Sequence, residues 1–386
     1  MNQNEFFTNE YTSVIQKLVH EVVNDPSTYL GAKYIPSVAL PVDRVRVEII
    51  EASGGLTSEH AVGTDPKYVQ SFGTRVQEYA CPAYKEAIHY DEKKILHLRQ
   101  LGQNDPAKRG VRQYIDQDID RLNRRLEARI EKLRWDAIFT GVQPYLGNVF
   151  SYGIPSANVA TPLGAVWSLD GINPNAAANP IADVRYWISG GLARFRKYRI
   201  KRMVCNPNTA RWVLENPNTK AYLSSIGANP NISEWTLPKL IAFLIPGGPE
   251  VVIYDSWFQT EQIGAGVDAF GNATTSPNQL TVSDAIYFIP DGGIFFETAL
   301  PGGDTIGEFV QGLNLASGTM EQPGFGKFLV VEENIAPGTK GGPGNPYVDI
   351  IAGVYGGVNL QRAFDVLTAN VIGTALVVPS APSYEP

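Results

Sequence analysis

Cysteine and histidine are scarce in this chain, and the scarcity excludes several classes of protein. Cys81 and Cys205 are the only cysteines among 386 residues, too few for a disulfide framework. Both are expected to be free thiols, buried or part-buried. The four histidines show neither an i, i+4 pair nor a His-Glu-x-x-His motif, so the sequence predicts no metal site and no cofactor.

Long apolar runs and an excess of positive charge are also missing. No stretch approaches the roughly 20 apolar residues of a membrane span, and residues 1–10 lack the basic start and apolar stretch of a secretory signal. We therefore expect a protein made in the cytoplasm with no membrane partner. The net charge of −7 excludes a global basic field for nucleic acid, so any contact with DNA has to come from a local patch.

The usual motifs of catalysis are absent as well. The stretch Gly54-Gly55-x-Thr57-Ser58 lacks the lysine of a phosphate-binding loop, and no Gly-x-Ser-x-Gly elbow occurs. No catalytic residue is predicted. An α/β enzyme with a site assembled from distant residues stays open as an alternative, and it would be a small monomer or dimer with a deep polar pocket.

What the chain does have is one very long helical pattern. Asn104-Asp105-Pro106 provides a helix start and Gly141 a stop. Apolar residues recur between them in steps of three and four, at Val111, Ile115, Ile119, Leu122, Leu126, Ile130, Leu133 and Ala137. The spacing predicts a helix over 106–140, about 50 Å long, with one packed stripe and a solvated remainder. Asp116, Asp118 and Asp120 belong to that salt-bridged, solvated face.

The segments before the long helix look extended. A helix over 10–24 and an extended piece to about residue 41 predict an arm that reaches out from the molecule. Residues 44–50 alternate in hydrophobicity, and residues 68–80 alternate again, which predicts a hairpin with a polar tip. Because an isolated hairpin is marginal in water, a neighbouring subunit is expected to support it.

The second half of the chain alternates between helical and strand patterns, which predicts a mixed α/β domain. The predicted elements are a helix over 181–198, a strand over 201–206, a helix over 208–223 broken by Pro217, a helix over 233–245, and strands over 250–255 and 285–290. Paired glycines at 247–248, 292–293 and 302–303 predict turns, and residues 260–280 and 300–347 predict loops. Strands return over 347–372.

This order of segments resembles the Hong Kong 97-type capsid fold of tailed phages, and is most similar to the major capsid protein E family of lambda-like phages. Gly54–Glu59 matches the hairpin stretch Gly-Gly-x-Thr-Ser-Glu of that family. Asn206-Pro207 matches the Asn/Asp-Pro step that follows its first axial-domain strand. The glycine-rich regions 260–280 and 300–347 depart from the family pattern and are expected to be elaborations.

The resemblance implies an α+β fold with N-arm, E-loop hairpin, spine helix, peripheral domain and axial domain. The implied boundaries are 1–43 for the N-terminal arm, 44–90 for the E-loop hairpin, 91–180 for the peripheral domain with its spine helix 106–140, 181–346 for the axial domain, 347–373 for strands returning to the peripheral domain, and 374–386 for a flexible tail.

The function implied is that of a major capsid protein, which assembles as hexamers and pentamers into an icosahedral shell around double-stranded DNA. The implied partners are other copies of the chain, scaffolding, decoration and portal proteins, and packaged DNA by weak non-specific contact. Contacts between subunits are expected at Arg46, Glu48, Thr57, Ser58, Glu59, Lys67, Arg75 and Glu78. An encapsulin-type cellular shell protein of the same fold is the alternative.

Overall fold

The structure is a computed structural model that describes residues 29–50, 74–90, 106–145, 148–192, 199–228, 235–258, 261–262, 281–282, 286–299, 305–314, 324–334 and 347–373. Its helices are α1 (Gly31–Tyr34), α2 (Pro106–Thr140), α3 (Pro180–Ile188), α4 (Pro207–Glu215), α5 (Pro217–Ser225) and α6 (Leu237–Leu244).

The first ten strands are β1 (Ser37–Ala39), β2 (Arg44–Ile50), β3 (Thr74–Ala80), β4 (Ala83–Tyr90), β5 (Val142–Tyr145), β6 (Asn148–Ser151), β7 (Val159–Ala160), β8 (Ile200–Cys205), β9 (Glu250–Ile253) and β10 (Trp257–Phe258). The other strands are β11 (Glu261–Gln262), β12 (Thr281–Val282), β13 (Ile286–Tyr287), β14 (Gly293–Thr298), β15 (Glu308–Gln311), β16 (Leu313–Asn314), β17 (Gly324–Phe325), β18 (Lys327–Asn334), β19 (Tyr347–Asn359) and β20 (Leu367–Asn370).

The described residues fall into two compact units. Unit 1 takes its residues from Met1–Arg134, Gln143–Ser151 and Gly307–Gln361, and unit 2 takes the rest. The unit boundaries differ from the predicted domain boundaries. Residues 152–180 cluster with unit 2, and β15 and β18 lie in unit 1 because both pair with β19. Which unit is peripheral and which is axial stays a prediction.

Unit 1 is built on a five-stranded sheet in which β19 is the central strand. The path is β1-β15-β19-β18, with β4 pairing β19 as well. Residues 83–90, predicted as part of the hairpin, instead pair antiparallel along β19 from Ala83↔Tyr355 to Tyr90↔Val348. A 13-residue strand with partners on both sides buries its apolar residues, and Val354 and Val358 are fully enclosed.

Helix α2 spans the predicted residues, and its apolar stripe is buried as predicted from Ile119 onward. The prediction that all its charged residues are solvated is wrong in part. Asp120 does form an exposed ion pair with Arg124, at 2.7 Å. Asp118, however, accepts a hydrogen bond from the Tyr90 hydroxyl, because β4 runs alongside the helix and its polar groups need partners.

Three further contacts of this kind join α2 to the sheet of unit 1. They are Arg125 with Glu86 at 2.5 Å, the Arg129 guanidinium over the Tyr84 ring at 5.1 Å, and Glu127 with the Lys327 ammonium. The polar side of the helix therefore contributes to packing as well as to solubility.

The N-terminal segment from residue 31 is docked on α2, so the part of the predicted arm at 31–43 does not reach out. Tyr34 and Ile35 are fully buried. The Gly31 amide donates to Glu131 Oε1 at 2.8 Å, and Arg134 Nη2 donates to Ser37 Oγ at 2.7 Å. This segment looks extended in the sequence. Its buried apolar side chains and its contacts with a buried charge pair nevertheless dock it on α2. The predicted helix over 10–24 lies outside the described residues.

The buried Lys327 ammonium gives unit 1 a pH-dependent stability. Burial lowers the pKa of Lys327 from its ordinary 10.5 to about 8. The folded chain therefore loses this proton near pH 8 while the unfolded chain keeps it to about pH 10.5, so this contribution to stability rises with pH across that window. The difference between 10.5 and about 8 corresponds to about 3 kcal/mol at roughly 1.4 kcal/mol per pKa unit, and this is the largest gain expected across the window.

The measurement is denaturant unfolding followed by circular dichroism at several pH values between 7 and 10. We expect the wild type to gain stability relative to Lys327→Met as the pH rises, because methionine keeps the apolar stem and does not titrate. A stability difference that stays constant over this range would contradict the buried-ammonium account.

Unit 2 is built on a second five-stranded sheet, in the order β7-β20-β14-β8-β9. Ile294 and Phe296 of β14 belong to the core shared with α3, α4 and α6. Phe295, on the other face, lies 6.0 Å from the Trp135 ring, in an edge-to-face arrangement. Apolar side chains therefore cover both faces of the sheet at β14. This agrees with the burial of every residue of that strand.

Asparagine followed by proline starts three of the helices of unit 2. The side chains of Asn179, Asn206 and Asn216 accept hydrogen bonds from backbone amides of the first turns of α3, α4 and α5. Proline at the first helical position needs no hydrogen-bond partner for its nitrogen. The break predicted at Pro217 is confirmed, since α4 ends at Glu215 and α5 begins at Pro217.

Candidate assembly interface

The hairpin β2–β3 has two different faces. Its register pairs Arg46 with Glu78 and Glu48 with Val76, so these four residues share one face. On the other face Val45, Val47 and Ile49 are buried. Alternation of apolar and charged residues along β2 produces this division, because successive side chains of a strand point to opposite sides.

The buried face rests on the same chain, at the end of the hairpin away from the tip. The Tyr79 hydroxyl donates to the Val358 carbonyl at 2.6 Å, and the Tyr79 ring lies 4.7 Å from the Phe150 ring. A Cβ at Gly357 would come within 2.4 Å of the Tyr79 hydroxyl oxygen, so only glycine allows this approach. The described strands thus have intramolecular support, and the expectation that a neighbour supplies it does not hold for them.

The opposite face is exposed and charged. The Arg46 and Glu48 side chains are 61% and 51% exposed and form an ion pair at 2.9 Å. Glu78 and Val76 are exposed beside them. Exposed ion pairs contribute little to folding, so folding alone does not require charged residues here, and the face is available to another molecule.

The structure places three of the eight predicted contact residues, Arg46, Glu48 and Glu78, together on this face. Arg75 lies opposite Ile49 in the register, which puts its position on the face of the buried valines. Thr57, Ser58, Glu59 and Lys67 lie outside the described residues. The contact role of all eight residues stays a prediction.

Reactive side chains do not gather at any place in the described parts of the chain. Cys81 and Cys205 are free thiols, as predicted, and burial raises their pKa values to about 11 and about 12. His89 Nδ1 lies 2.6 Å from an oxygen of Asp349, its partner across β4 and β19. No cluster of possible metal ligands occurs among the residues described, and no helix within them is long and apolar enough to cross a membrane.

Exposed apolar residues of unit 2 are a feature that the sequence interpretation missed. Leu169, Ile172 and Trp257 are 80%, 64% and 53% exposed. All three lie in Gly-, Pro- or Asn-rich stretches or beside a predicted loop. Large apolar residues placed in otherwise polar loops were the signal that could have identified them.

The fold is similar to those of solved capsid proteins. A structure described as a prophage capsid protein of E. coli CFT073 matches with a TM-score of 0.51 and 13% identity, covering 92% of this chain and 98% of that one. A virus-like particle protein from Pyrococcus furiosus matches with a TM-score of 0.43 and 12% identity, over 94% and 100%. The mature capsid of bacteriophage PhiM1 matches with a TM-score of 0.43 and 11% identity, over 90% and 88%.

The fold is thus of the Hong Kong 97 capsid type, as the order of hairpin, long helix and α/β unit predicted. The sequence model of phage major capsid protein E matches residues 8–328, and the chain belongs to that family. It is therefore a structural protein of a phage shell, located in the virion capsid, where it associates with its own copies. The match favours a phage shell over an encapsulin. No curated protein matches the sequence.

Proposed function

We propose that the chain assembles as hexamers and pentamers into an icosahedral shell around the double-stranded DNA of a tailed phage. Unit 2 corresponds to the axial domain, which surrounds the axis of each capsomer. Unit 1 corresponds to the peripheral domain with its spine helix α2. Synthesis in the host cytoplasm and cooperation with scaffolding, decoration and portal proteins belong to the same proposal.

The observation that carries this proposal is the charged face of the hairpin β2–β3. Its apolar side is satisfied within unit 1, yet Arg46, Glu48 and Glu78 stand exposed on the other side. Complementary charges at a rim set register and suppress wrong partners more than they add affinity. Such a face suits subunits that must dock in one orientation many times.

Contact with DNA would be weak and blind to sequence. Arg121, Arg124 and Arg129 are exposed on α2, and Arg124 shares its charge with Asp120. Three guanidinium groups on one helix can neutralise few phosphates, so binding should be lost readily as salt rises.

Charge reversal on the hairpin tests the proposed contact. Arg46→Glu combined with Glu78→Arg keeps opposite charges across the strands, so the hairpin is expected to fold. The double variant inverts the charge pattern that a neighbouring subunit would contact, because residues 46 and 78 lie opposite each other in the register. We expect the fraction of protein in shells, measured by sedimentation, to fall at least tenfold.

The matched control is the swap Asp120→Arg with Arg124→Asp on α2, which inverts another exposed ion pair of unit 1. This variant should assemble like the wild type. Assembly that is unchanged by the hairpin swap, or reduced equally by both swaps, would mean that the hairpin face is not an inter-subunit contact.

A further inference from the structure

Unit 2 carries apolar side chains on its surface at two separate places. The first is the loop patch, formed by Leu163, Leu169 and Ile172, which follows β7. The second is the ribbon patch, formed by Trp257 and Tyr287, which lie opposite each other in the register of β10 and β13. Strands β7 and β9 are the two edges of the unit 2 sheet, and about four strand spacings of roughly 4.8 Å separate them.

Hydrogen bonds to the Asp170 side chain hold the loop patch in place. Asp170 accepts hydrogen bonds from the amides of Asn173 and Ile172 at 2.7 and 2.8 Å, and from the Asn173 side chain at 2.8 Å. These bonds lower the pKa of Asp170, so the carboxylate stays charged and keeps its partners. The Ile172 carbonyl in turn accepts from Arg211 at 2.8 Å.

Rigidity and exposure together point to binding. Leu169 and Ile172 are among the most exposed large apolar side chains of the described residues, and a preorganised loop loses little entropy when it docks. In the ribbon patch, Trp257 is half-exposed on a two-stranded ribbon. Tryptophan is enriched among residues that dominate binding energy at interfaces.

The charged residues beside the two patches differ in sign. Arg211, 44% exposed, lies beside Ile172, while the Asp170 carboxylate is occupied within its own loop. Arg211 also forms a long i, i+4 ion pair with Glu215, at 4.0 Å, and its side chain stays 44% exposed. Asp255 is exposed two residues before Trp257. A basic group beside one patch and an acidic group beside the other favour docking between them.

We propose that the loop patch of one copy docks on the ribbon patch of the next copy, head to tail. The inference rests on the proposed function and specifies which surfaces of unit 2 meet within a capsomer. Contacts between two different patches of the same chain form rings when the rotation between copies closes, and capsomers require such rings.

The small size of the patches supports a second copy as the occupant. A stable two-protein interface uses roughly 20 to 30 residues on each side, whereas the loop patch offers three side chains. A contact of this size holds only where other contacts keep the partners at high effective concentration. An assembly of identical copies provides that condition, and a freely diffusing partner does not.

Opposite charges introduced into the two patches test the pairing. Leu169→Lys and Trp257→Glu are made singly and together in the full chain, and shells are quantified by sedimentation and electron microscopy. Each single variant should lower the shell fraction at least tenfold, because a charge then faces an apolar partner. The double variant should recover most of the loss, because lysine then faces glutamate.

Phe243→Glu is the control, since Phe243 is 52% exposed in unit 2 but lies outside both patches. Circular dichroism and tryptophan fluorescence establish that each variant is folded. Single variants that assemble like the wild type, an equal loss in Phe243→Glu, or no recovery in the double variant would each overturn the pairing. A wild type that forms no shell would instead contradict the proposed function.

Discussion

Replacing Glu131 by alanine is expected to lower the free energy of unfolding of unit 1 by about 3–5 kcal/mol. The Glu131 side chain is fully buried and the Arg134 side chain is 4% exposed, with Arg134 Nη1 lying 3.2 Å from Glu131 Oε2. Without the carboxylate, the guanidinium is a buried charge deprived of this partner, and the Gly31 amide loses its acceptor. Both losses act on the segment that docks the N-terminal residues on α2.

The matched control is Asp120→Ala on the same helix. It removes an exposed i, i+4 ion pair, whereas Glu131 and Arg134 form a buried i, i+3 pair. Exposed helical pairs contribute about 0.3–0.5 kcal/mol. Denaturant unfolding followed by far-ultraviolet circular dichroism measures both variants. The double variant Glu131→Leu, Arg134→Leu should recover much of the loss because it removes both charges. Equal stabilities for Glu131→Ala and Asp120→Ala would rule out a stabilising role for the buried pair.

Replacing Trp187 by alanine is expected to cost unit 2 about 3–5 kcal/mol. The Trp187 ring is fully buried, stacks on Trp167 at 5.8 Å and meets the edge of Phe296 at 6.2 Å. Its removal leaves a cavity between α3 and the sheet. Trp187→Phe should cost less, because the indole nitrogen has no hydrogen-bond partner among the described residues.

Trp257→Ala is the control for residue type, because this tryptophan is half-exposed in the same unit. It should change the stability of unit 2 by less than about 1 kcal/mol while still impairing assembly. All six tryptophans lie in the segments of unit 2, so fluorescence reports on the unfolding of that unit. A loss in Trp187→Ala no larger than in Trp257→Ala would contradict the assigned packing.

Helix α2 shows where prediction from sequence succeeds. Its start at Pro106, its end before Gly141 and its buried stripe all follow from local rules, namely a proline at the first turn, a glycine with φ of +65° after the last, and steps of three and four. The two strands of the hairpin follow from alternation in the same way.

Strand β14 shows where prediction from sequence fails. Every residue of Gly293–Thr298 is buried, so hydrophobicity does not alternate and the strand was not predicted. The turn predicted at 292–293 is confirmed just before the strand, where Gly292 has a φ of +76° and the Gly293 amide donates to the Pro290 carbonyl. Gly293 is required, since a Cβ there would lie 2.9 Å from the Phe139 ring. The helix predicted over 181–198 is also too long, because α3 ends at Ile188, two residues before Gly190.

Contacts distant in sequence explain the remaining differences. The docking of residue 31 on residue 131, and of β4, β15 and β18 on β19, depends on pairings that no local pattern encodes. The charged face of the hairpin was predictable as alternating residues, whereas the loop and ribbon patches needed the fold to reveal their exposure.

Electron microscopy and light scattering measure whether this chain is a self-assembling shell subunit. The protein is purified after expression alone and after co-expression with the genes that flank it. We expect closed shells, tubes or six-membered rings in at least one of the two preparations. A uniform small monomer or dimer in both would contradict it.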